Sequence, residues 1–178
     1  MTDTQWPRFM VFQQDAEGKP FVHNGTVHAP DIDMALLNAR DVFARRPQAV
    51  AMWVVPADAI FTQTREEVEK FGSREVDIQT SRFQDFYVFA KFEQQEQCRL
   101  IGEVQAATSQ SAINAAIEKY GDQDPLWWWV FPKSDVLTSR PQDIQPMFEP
   151  AREKTFKDQA EYPVVTMMRE IRAKKGKK

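Results

Sequence analysis

The chain has 178 residues, of which 42% are hydrophobic, and its 26 acidic and 23 basic side chains give a formal net charge of −3. This balance disfavours a nucleic-acid binder with a uniformly basic surface, and no apolar run approaches the roughly 18 residues that a membrane-spanning helix needs. Met1–Pro7 has neither a basic nor an apolar stretch, and Cys98 is the single cysteine. We therefore expect a cytoplasmic protein without a signal peptide or an intramolecular disulfide.

The first half of the chain predicts the order β-β-α-β. Phe9–Gln13 and Phe21–Ala29 are aromatic and β-branched runs joined by a polar turn, a pattern typical of a hairpin. Asp31 follows as a candidate helix N-cap. The next apolar residues recur at helical spacing: Ile32, Ala35, Leu36, Ala39 and Phe43. Ala51–Val55 is a third predicted strand, which ends at Pro56 because proline lacks a backbone donor.

The second half repeats this pattern at an offset of 77 residues. Phe9–Phe12 matches Phe86–Phe89, and Gly25 matches Gly102 within the second strand. The repeat predicts strands at Phe86–Phe92, Cys98–Ala106 and Trp127–Phe131, and a helix with Ala112, Ile113, Ala116 and Tyr120 on one face.

This period is too long for a solenoid. We therefore predict an α+β fold with two tandem β-β-α-β units, residues 1–82 and 83–178, that form a pseudo-two-fold dimer within one chain. A unit of roughly 75 residues is marginal alone, so the two units should share a core or a sheet.

Within these bounds a charged connector follows each set of β-β-α-β elements, Thr62–Arg82 in the first and Ser139–Glu161 in the second. A short helix or packed extension is predicted over Tyr162–Ile171. Arg172–Lys178 is a basic tip that should fray. Contact with nucleic acid through this tip is a weak alternative because the rest of the chain is acidic. Strand alternation predicts that Phe21, His23, Gly25, Val27 and Ala29 share one buried face, as do their counterparts in the second unit.

The residues that could carry chemistry favour structural roles. His23 and His28 are five positions apart on one strand, so they point to opposite faces and do not share a metal ion. His23 matches Leu100 and should be a core histidine, and Cys98 should be a small buried hydrophobe. The sequence contains no glycine-rich cofactor loop, nucleophile elbow or helical Glu-x-x-His pair, so we expect no catalytic site, metal or cofactor.

A candidate partner-binding surface emerges from what the first unit has and the second lacks. Met34 and Leu37 lie off the core side of their helix, and their counterparts are Ser111 and Asn114. The same helix region also carries four charged residues, Arg40, Asp41, Arg45 and Arg46. Their counterparts are Ile117, Glu118, Asp122 and Gln123, so the second unit lacks all three arginines. Such a set is either a solvated helix face or a protein–protein interface, where apolar residues beside arginine are common. Trp128, in the middle of Trp127–Trp129, is either covered by neighbouring elements or part of a partner surface.

The first unit also resembles a known family. The residues that carry the likeness occur in one order and at one spacing: Trp6-Pro7, Val11-Phe12, Gly25–Ala29, Asn38–Asp41, Arg45-Arg46 and Trp53–Val55. They resemble PaaB, the small subunit of the multicomponent phenylacetyl-CoA monooxygenase (ring epoxidase) of bacterial phenylacetate breakdown. The resemblance adds His28 to the candidate partner-binding residues. It implies an accessory subunit without redox centres, with oxygenase subunits as partners, and it leaves further self-association open.

An alternative function is a stand-alone α+β barrel that binds a small aromatic compound. The tryptophan-rich strand would form the wall of the pocket, and His23 with Tyr87 or Tyr120 would supply its polar groups.

Overall fold

The computed structural model describes residues 6–44, 49–71 and 82–149, together with positions 168, 169, 171 and 174. In chain order its elements are β1 (Arg8–Gln14), β2 (Val22–His28), α1 (Ile32–Phe43), β3 (Ala51–Pro56), β4 (Phe61–Thr64), α2 (Arg65–Phe71), β5 (Gln84–Lys91), β6 (Arg99–Ala106), α3 (Ser109–Tyr120), β7 (Trp127–Pro132), β8 (Leu137–Thr138) and α4 (Ile144–Phe148). The predicted β-β-α-β order is confirmed twice, as β1-β2-α1-β3 and as β5-β6-α3-β7.

Both long helices begin at a side-chain cap. The Asp31 carboxylate accepts a hydrogen bond of 2.8 Å from the backbone N–H of Met34. In the second unit the Thr108 hydroxyl accepts one of 3.1 Å from the N–H of Ser111. Each cap satisfies a donor that the first turn of a helix leaves without an intrahelical acceptor. The equivalent caps fix the start of the helix at the same place in both units.

The strands form one antiparallel sheet of eight in the order β4-β7-β5-β6-β2-β1-β3-β8. The two units meet at its centre, where β2 pairs with β6 through Val22 and Arg99. Two backbone hydrogen bonds of 2.8 Å strengthen this seam, from His23 N to Cys98 O and from Leu100 N to Phe21 O. The order has the same form from either end when each strand is replaced by its counterpart, so the pseudo-two-fold arrangement is confirmed.

The outermost strands are exchanged between the units. β4 follows the first unit but pairs with β7 of the second, from Phe61 opposite Val130 to Thr64 opposite Trp127. In return, β8 pairs with β3 of the first unit. The predicted connectors contain regular elements: Thr62–Arg82 begins within β4 and includes α2, and Ser139–Glu161 includes α4. The edge of each unit's sheet is thus covered by the other half of the chain.

The helices that follow the exchanged strands also pack on the opposite unit. Val68 of α2 lies against the second unit's core, whereas Met147 and Phe148 of α4 are buried in the first unit's core at 9% and 4% exposure. In each unit the exchanged strand and the helix after it thus pack together on the opposite unit. The proposed boundary between residues 82 and 83 stays a prediction. Neither segment contains all four strands of its half of the sheet, because the outermost strand of each half comes from the other segment.

Three hydrophobic cores hold the molecule together. The first unit's core lies between its sheet and α1 and includes Val11 and Ala39, and the second unit's core includes Val88 and Ala116 beside α3. The third core is shared, with Phe12, Phe21 and Trp53 from the first unit and the following residues from the second: Phe89, Cys98 and Phe131. The expectation that two marginal units share a core and a sheet is confirmed.

A β-bulge in each hairpin corrects the predicted strand faces. In the first hairpin Val11 pairs with Gly25 and Phe12 with His23, which leaves Asn24 as the extra residue. Phe21 and His23 therefore face the shared core, whereas Val27 and Ala29 face the core beneath α1. The prediction of one continuous face is wrong because a single inserted residue breaks the alternation of a strand. The register of β5 and β6 shifts at the equivalent place.

Glycine is required at the bulge for two reasons. Gly25 and Gly102 have φ of 149° and 159°, a region that side chains disfavour. A Cβ on Gly25 would also lie 2.9 Å from Cζ of Phe43, and one on Gly102 would overlap the phenol of Tyr120. The matched glycines of the repeat thus let each aromatic helix end approach its hairpin.

Most of the predicted C-terminal elements, Tyr162–Ile171 and the basic tip, lie outside the described residues. Met168, Arg169 and Ile171 are helical and exposed where they are described. No helix in the described part of the chain is long and apolar enough to cross a membrane.

Candidate partner-binding surface

The outer face of α1, defined here as Met34, Leu37, Asp41 and Val42, carries large apolar side chains in solvent. Met34, Leu37 and Val42 are 41%, 43% and 49% exposed. The opposite side of the helix is formed by residues such as Ala35 and Ala39, which are fully buried. An amphipathic helix that contacts only one core would place polar residues at the outer positions, so this face is more apolar than the fold itself requires.

Arg40 and Asp41 form an ion pair at the edge of this face. The Arg40 guanidinium donates from Nε at 2.9 Å and from Nη2 at 2.8 Å, and both bonds end on Oδ1 of Asp41. The two side chains are 35% and 68% exposed, so the pair contributes about 0–1 kcal/mol to stability. Its main effect is local: the charges neutralise each other beside the apolar residues.

Trp6 extends the surface beyond the helix. Nδ1–H of His28 donates to the backbone carbonyl of Trp6 at 2.8 Å, since a carbonyl oxygen only accepts. Asn38 of α1 donates from Nδ2 to the carbonyl of His28 at 3.1 Å. The first bond ties the backbone of Trp6 to β2, and the second ties the same end of β2 to α1. The Trp6 indole is 60% exposed. We define the unit 1 surface as the outer face of α1 together with Trp6 and His28.

The equivalent helix of the second unit has a different outer side. Ser111 and Asn114 stand where the first unit has Met34 and Leu37. Gln110 of α3 exchanges hydrogen bonds of 3.2 and 3.3 Å with Gln63 of the exchanged strand and donates to Asn114 at 3.3 Å. This polar network is internal to the chain. Phe83, the counterpart of Trp6, keeps an exposed aromatic ring at 65%.

The three consecutive tryptophans have three different environments. Trp127 is 40% exposed, Trp128 is 3% exposed within the second unit's core, and Trp129 packs in the shared core. Neighbouring elements thus cover Trp128, as the first of the two interpretations supposed. Trp128 contributes to packing, and we do not include it in the surface proposed below.

Some of the predicted partner-binding residues lie outside the described part of the chain. Arg45 and Arg46 lie outside the described residues, directly after the end of α1. Met34, Leu37, Arg40, Asp41 and His28 are brought into one region of the first unit. Trp6 was missed as a site residue, because its place depends on the His28 bond rather than on a helical pattern.

His23 and Cys98 are buried in the shared core. The His23 ring lies 5.0 Å from Trp129 and 5.5 Å from Phe12, measured between centroids. Burial lowers its pKa, against a smaller opposite effect of a hydrogen bond to the Gly25 backbone, and its Nε2 atom bonds to no described residue. Cys98 is 4% exposed, and burial raises the pKa of its thiol to about 12. Both groups therefore stay neutral near pH 7, as expected of packing residues.

The polar groups suggested for an aromatic pocket do not converge. Tyr120 belongs to the second unit's core, and Tyr87 packs against Trp53 at 4.5 Å, whereas His23 lies against Trp129. In residues 6–44, 49–71 and 82–149, no three His, Cys, Asp or Glu side chains are grouped so as to hold a metal ion.

Two fused copies of one small α+β unit with exchanged outer strands define the architecture, and comparison with known proteins supplies the family. The family model described as PaaB, Phenylacetic acid degradation B, matches the chain twice, over residues 5–87 and 82–169. The chain belongs to this family, in which it is a tandem duplication. It is also similar to the B subunit of 1,2-phenylacetyl-CoA epoxidase from Escherichia coli (strain K12), with 39% identity over 71 residues, 40% of this chain and 75% of the relative. No solved structure matches the chain.

Proposed function

We propose that this protein is a non-catalytic assembly subunit of a cytoplasmic phenylacetyl-CoA epoxidase-like complex, and that it docks on an oxygenase subunit through the unit 1 surface. Membership of the phenylacetic acid degradation B family and the similarity to one subunit of an epoxidase support a role in such a complex. The observation that carries the docking proposal is the group of exposed apolar side chains on α1: Met34, Leu37 and Val42.

The composition of the unit 1 surface fits an interface better than a solvated face. Interfaces are enriched in tryptophan, methionine and arginine, and the residues that dominate binding are often tryptophan or arginine in the centre of the patch. Trp6 and Met34 meet this description, and Arg40 lies at the edge of α1. The side chains of His28 and Asn38 bond to the backbone carbonyls of Trp6 and His28, so the main chain that carries the Trp6 indole is fixed before binding, which lowers the entropy lost on association.

The contrast between the two units supports docking through the first. At equivalent helix positions the second unit carries Ser111 and Asn114, and Asn114 accepts a hydrogen bond from Gln110, which also bonds to Gln63 of the exchanged strand. If these positions served only folding, both units would tolerate the same polar residues. We infer that the apolar pair in the first unit is kept for a partner.

The groups that could act in catalysis point to a structural role instead. Cys98 is a buried thiol with a raised pKa, which is the opposite of an activated nucleophile. His23 is enclosed by aromatic rings in the shared core. These observations support the proposal that the reaction takes place elsewhere in the complex.

The experiment exchanges residues between the units. In Met34→Ser with Leu37→Asn, the first unit receives the residues of the second at the same positions. The variant should fold normally, because both side chains are exposed, but it should fail to co-elute with the oxygenase subunits in size-exclusion chromatography. Phe83→Ala is the control, since it removes an exposed apolar side chain from the second unit.

Two results would contradict the proposal. Retained co-elution of the Met34/Leu37 variant would remove α1 from the interface. Stoichiometric iron, or turnover of phenylacetyl-CoA by the isolated chain, would contradict the non-catalytic role.

A further inference from the structure

A cleft in the second unit combines features that belong to neither the core nor the unit 1 surface. It has a volume of about 360 Å³ and is lined by Thr64, Arg65, Glu66, Lys91, Gln94, Leu126 and Trp127. Backbone bonds bring its three segments together: Leu126 N donates to Lys91 O at 2.8 Å, and Arg65 N donates to Leu126 O at 3.0 Å. The exchanged strand and its helix form one wall, so the cleft requires both halves of the chain.

One wall of the cleft is an exposed aromatic ring. Trp127 is 40% exposed at the first position of β7, whereas the next tryptophan is fully packed in the core. The ammonium of Lys91 lies 5.8 Å from the centre of the Trp127 ring, close to the limit of a cation–π contact. An aromatic ring and a cation above it are thus both presented to the cleft.

Lys91 supplies the available positive charge. Arg65 is already engaged, with an ion pair of 3.0 Å to Asp124 and further bonds to the carbonyls of Asp124 and Pro125. Lys91 forms no ion pair within the described part of the chain. Glu66, exposed on the same lining, adds a negative charge that disfavours a multiply charged anion. The lining therefore suits a ligand with one negative charge.

The equivalent place in the first unit lacks both features. Val50 N donates to Gln14 O at 2.8 Å, the counterpart of the bond between Leu126 and Lys91. Gln14 thus stands at the place of Lys91, and Ala51 at the place of Trp127. The fold forms this corner without a cation or an indole, so the second unit's pair is not needed for the backbone arrangement.

We infer that this cleft binds a planar aromatic carboxylate, with its ring against Trp127 and its carboxylate at Lys91. The apolar part of the lining is Leu126 and Trp127, which suits a ligand with one ring, and about 360 Å³ falls at the small end of the range of small-molecule sites. A single ring bearing a carboxylate one or two bonds away can reach both groups at once. Gln94, on the same lining, has an amide that can donate to the second carboxylate oxygen.

The test is a titration of the full-length protein by ligand-observed NMR or calorimetry. The probes are phenylacetate, its neutral analogue phenylacetamide, and cyclohexylacetate, which keeps the charge but lacks the aromatic ring. Phenylacetate should bind saturably, with a Kd on the order of 1 mM or tighter, and each analogue should bind about tenfold more weakly.

The variants again use the first unit as the reference. Trp127→Ala and Lys91→Gln install the residues found at its equivalent positions, and each should weaken phenylacetate binding about tenfold. Phe83→Ala, which removes an exposed aromatic ring that belongs to neither the cleft nor the unit 1 surface, should leave binding unchanged. Trp127→Phe keeps a ring in the strand and should retain most of the affinity, which separates loss of the site from loss of the fold. Thermal unfolding of each variant verifies that it is folded.

Three outcomes would overturn the inference: no saturable binding of phenylacetate up to about 10 mM, equal affinity for the amide, or unchanged affinity in both the Trp127→Ala and Lys91→Gln proteins. None of these measurements involves an oxygenase subunit, so they do not depend on the proposed docking surface.

Discussion

Phe12 and Phe89 occupy equivalent positions in the two units, and their rings contact each other with centroids 4.5 Å apart and planes inclined by 48°. Both side chains are fully buried in the shared core. In a two-fold arrangement, equivalent residues meet each other only near the axis. The pseudo-two-fold axis therefore passes through a packed aromatic contact.

This contact should couple the stability of the two units. Phe12→Ala and Phe89→Ala should each lower the free energy of unfolding by about 3–5 kcal/mol, because each leaves a cavity between the units. In each case both units should unfold in one transition, which can be followed by chemical denaturation with circular dichroism and tryptophan fluorescence. Two separated transitions in either variant would show that the shared core does not join the units into one cooperative system.

The exchanged strands predict how half of the chain behaves. A fragment of residues 1–82 contains β4 but lacks the strand that β4 pairs with, and it lacks α4, which buries Met147 and Phe148 in the first unit's core. We expect this fragment to fold only as a dimer, in which each copy provides the missing edge strand to the other. Light scattering after size-exclusion chromatography measures the mass. A folded monomer would contradict the prediction.

The repeat made the fold of each unit predictable, because matched apolar residues recur with the spacing of the same elements. The exchange was not predictable in this way. Phe61–Thr64 is four residues long with one large apolar side chain, and its partner strand is chosen by closure of the sheet in three dimensions. The bulge at Asn24 was missed because the apolar alternation of the sequence continues through it. The inserted residue nevertheless reverses the side of the strand on which the side chains beyond it lie.

The candidate surface, too, could be predicted from the sequence only in part. Comparison with Ser111 and Asn114 identified Met34 and Leu37, since helical spacing places both away from the core. Which of the three consecutive tryptophans is exposed could not be read in this way. A strand between two cores has no solvent face, and Trp127 is exposed because it stands at the first position of its strand.

Protonation of His23 should weaken the fold. Burial depresses the pKa of His23 in the folded state below its ordinary value of 6.5, so the unfolded state takes up the proton first as the pH falls. The stabilising contribution is present above pH 6.5 and is lost as the pH falls through the folded-state pKa. The loss is at most about 1.4 kcal/mol per pH unit for this one group.

The variant His23→Leu isolates this effect, because Leu100 occupies the equivalent position. Denaturant unfolding at pH 7.5 and 5.5 should show a smaller decrease for the variant than for the parent protein. An equal decrease in both proteins would assign the pH dependence to carboxylates elsewhere.

Gly102→Ala should destabilise the second unit by more than about 2 kcal/mol, since the new methyl group would overlap the Tyr120 phenol and the backbone φ of 159° disfavours a side chain. Gly18→Ala is the control, because its φ of 79° is also positive but no atom lies within 4 Å of the added carbon. Thermal unfolding of both variants separates the steric part from the backbone part. Equal destabilisation would show that the close approach of Tyr120 adds nothing.

Arg45 and Arg46 provide a test that separates binding from stability. If both side chains are free of contacts within the chain, their double truncation to alanine should change the free energy of unfolding by no more than about 0.5 kcal/mol. If they dock on an acidic oxygenase surface, the same change should weaken the complex by about 2 kcal/mol or more, because a buried charge would lose its partner. Unfolding and co-elution are measured on the same preparation.

The opposite pattern, a lower melting temperature with intact co-elution, would mean that the arginines instead brace the acidic helix α2, where Glu67 already accepts a hydrogen bond of 2.8 Å from the N–H of Thr64. In that case the interface would rest on the unit 1 surface without the two arginines.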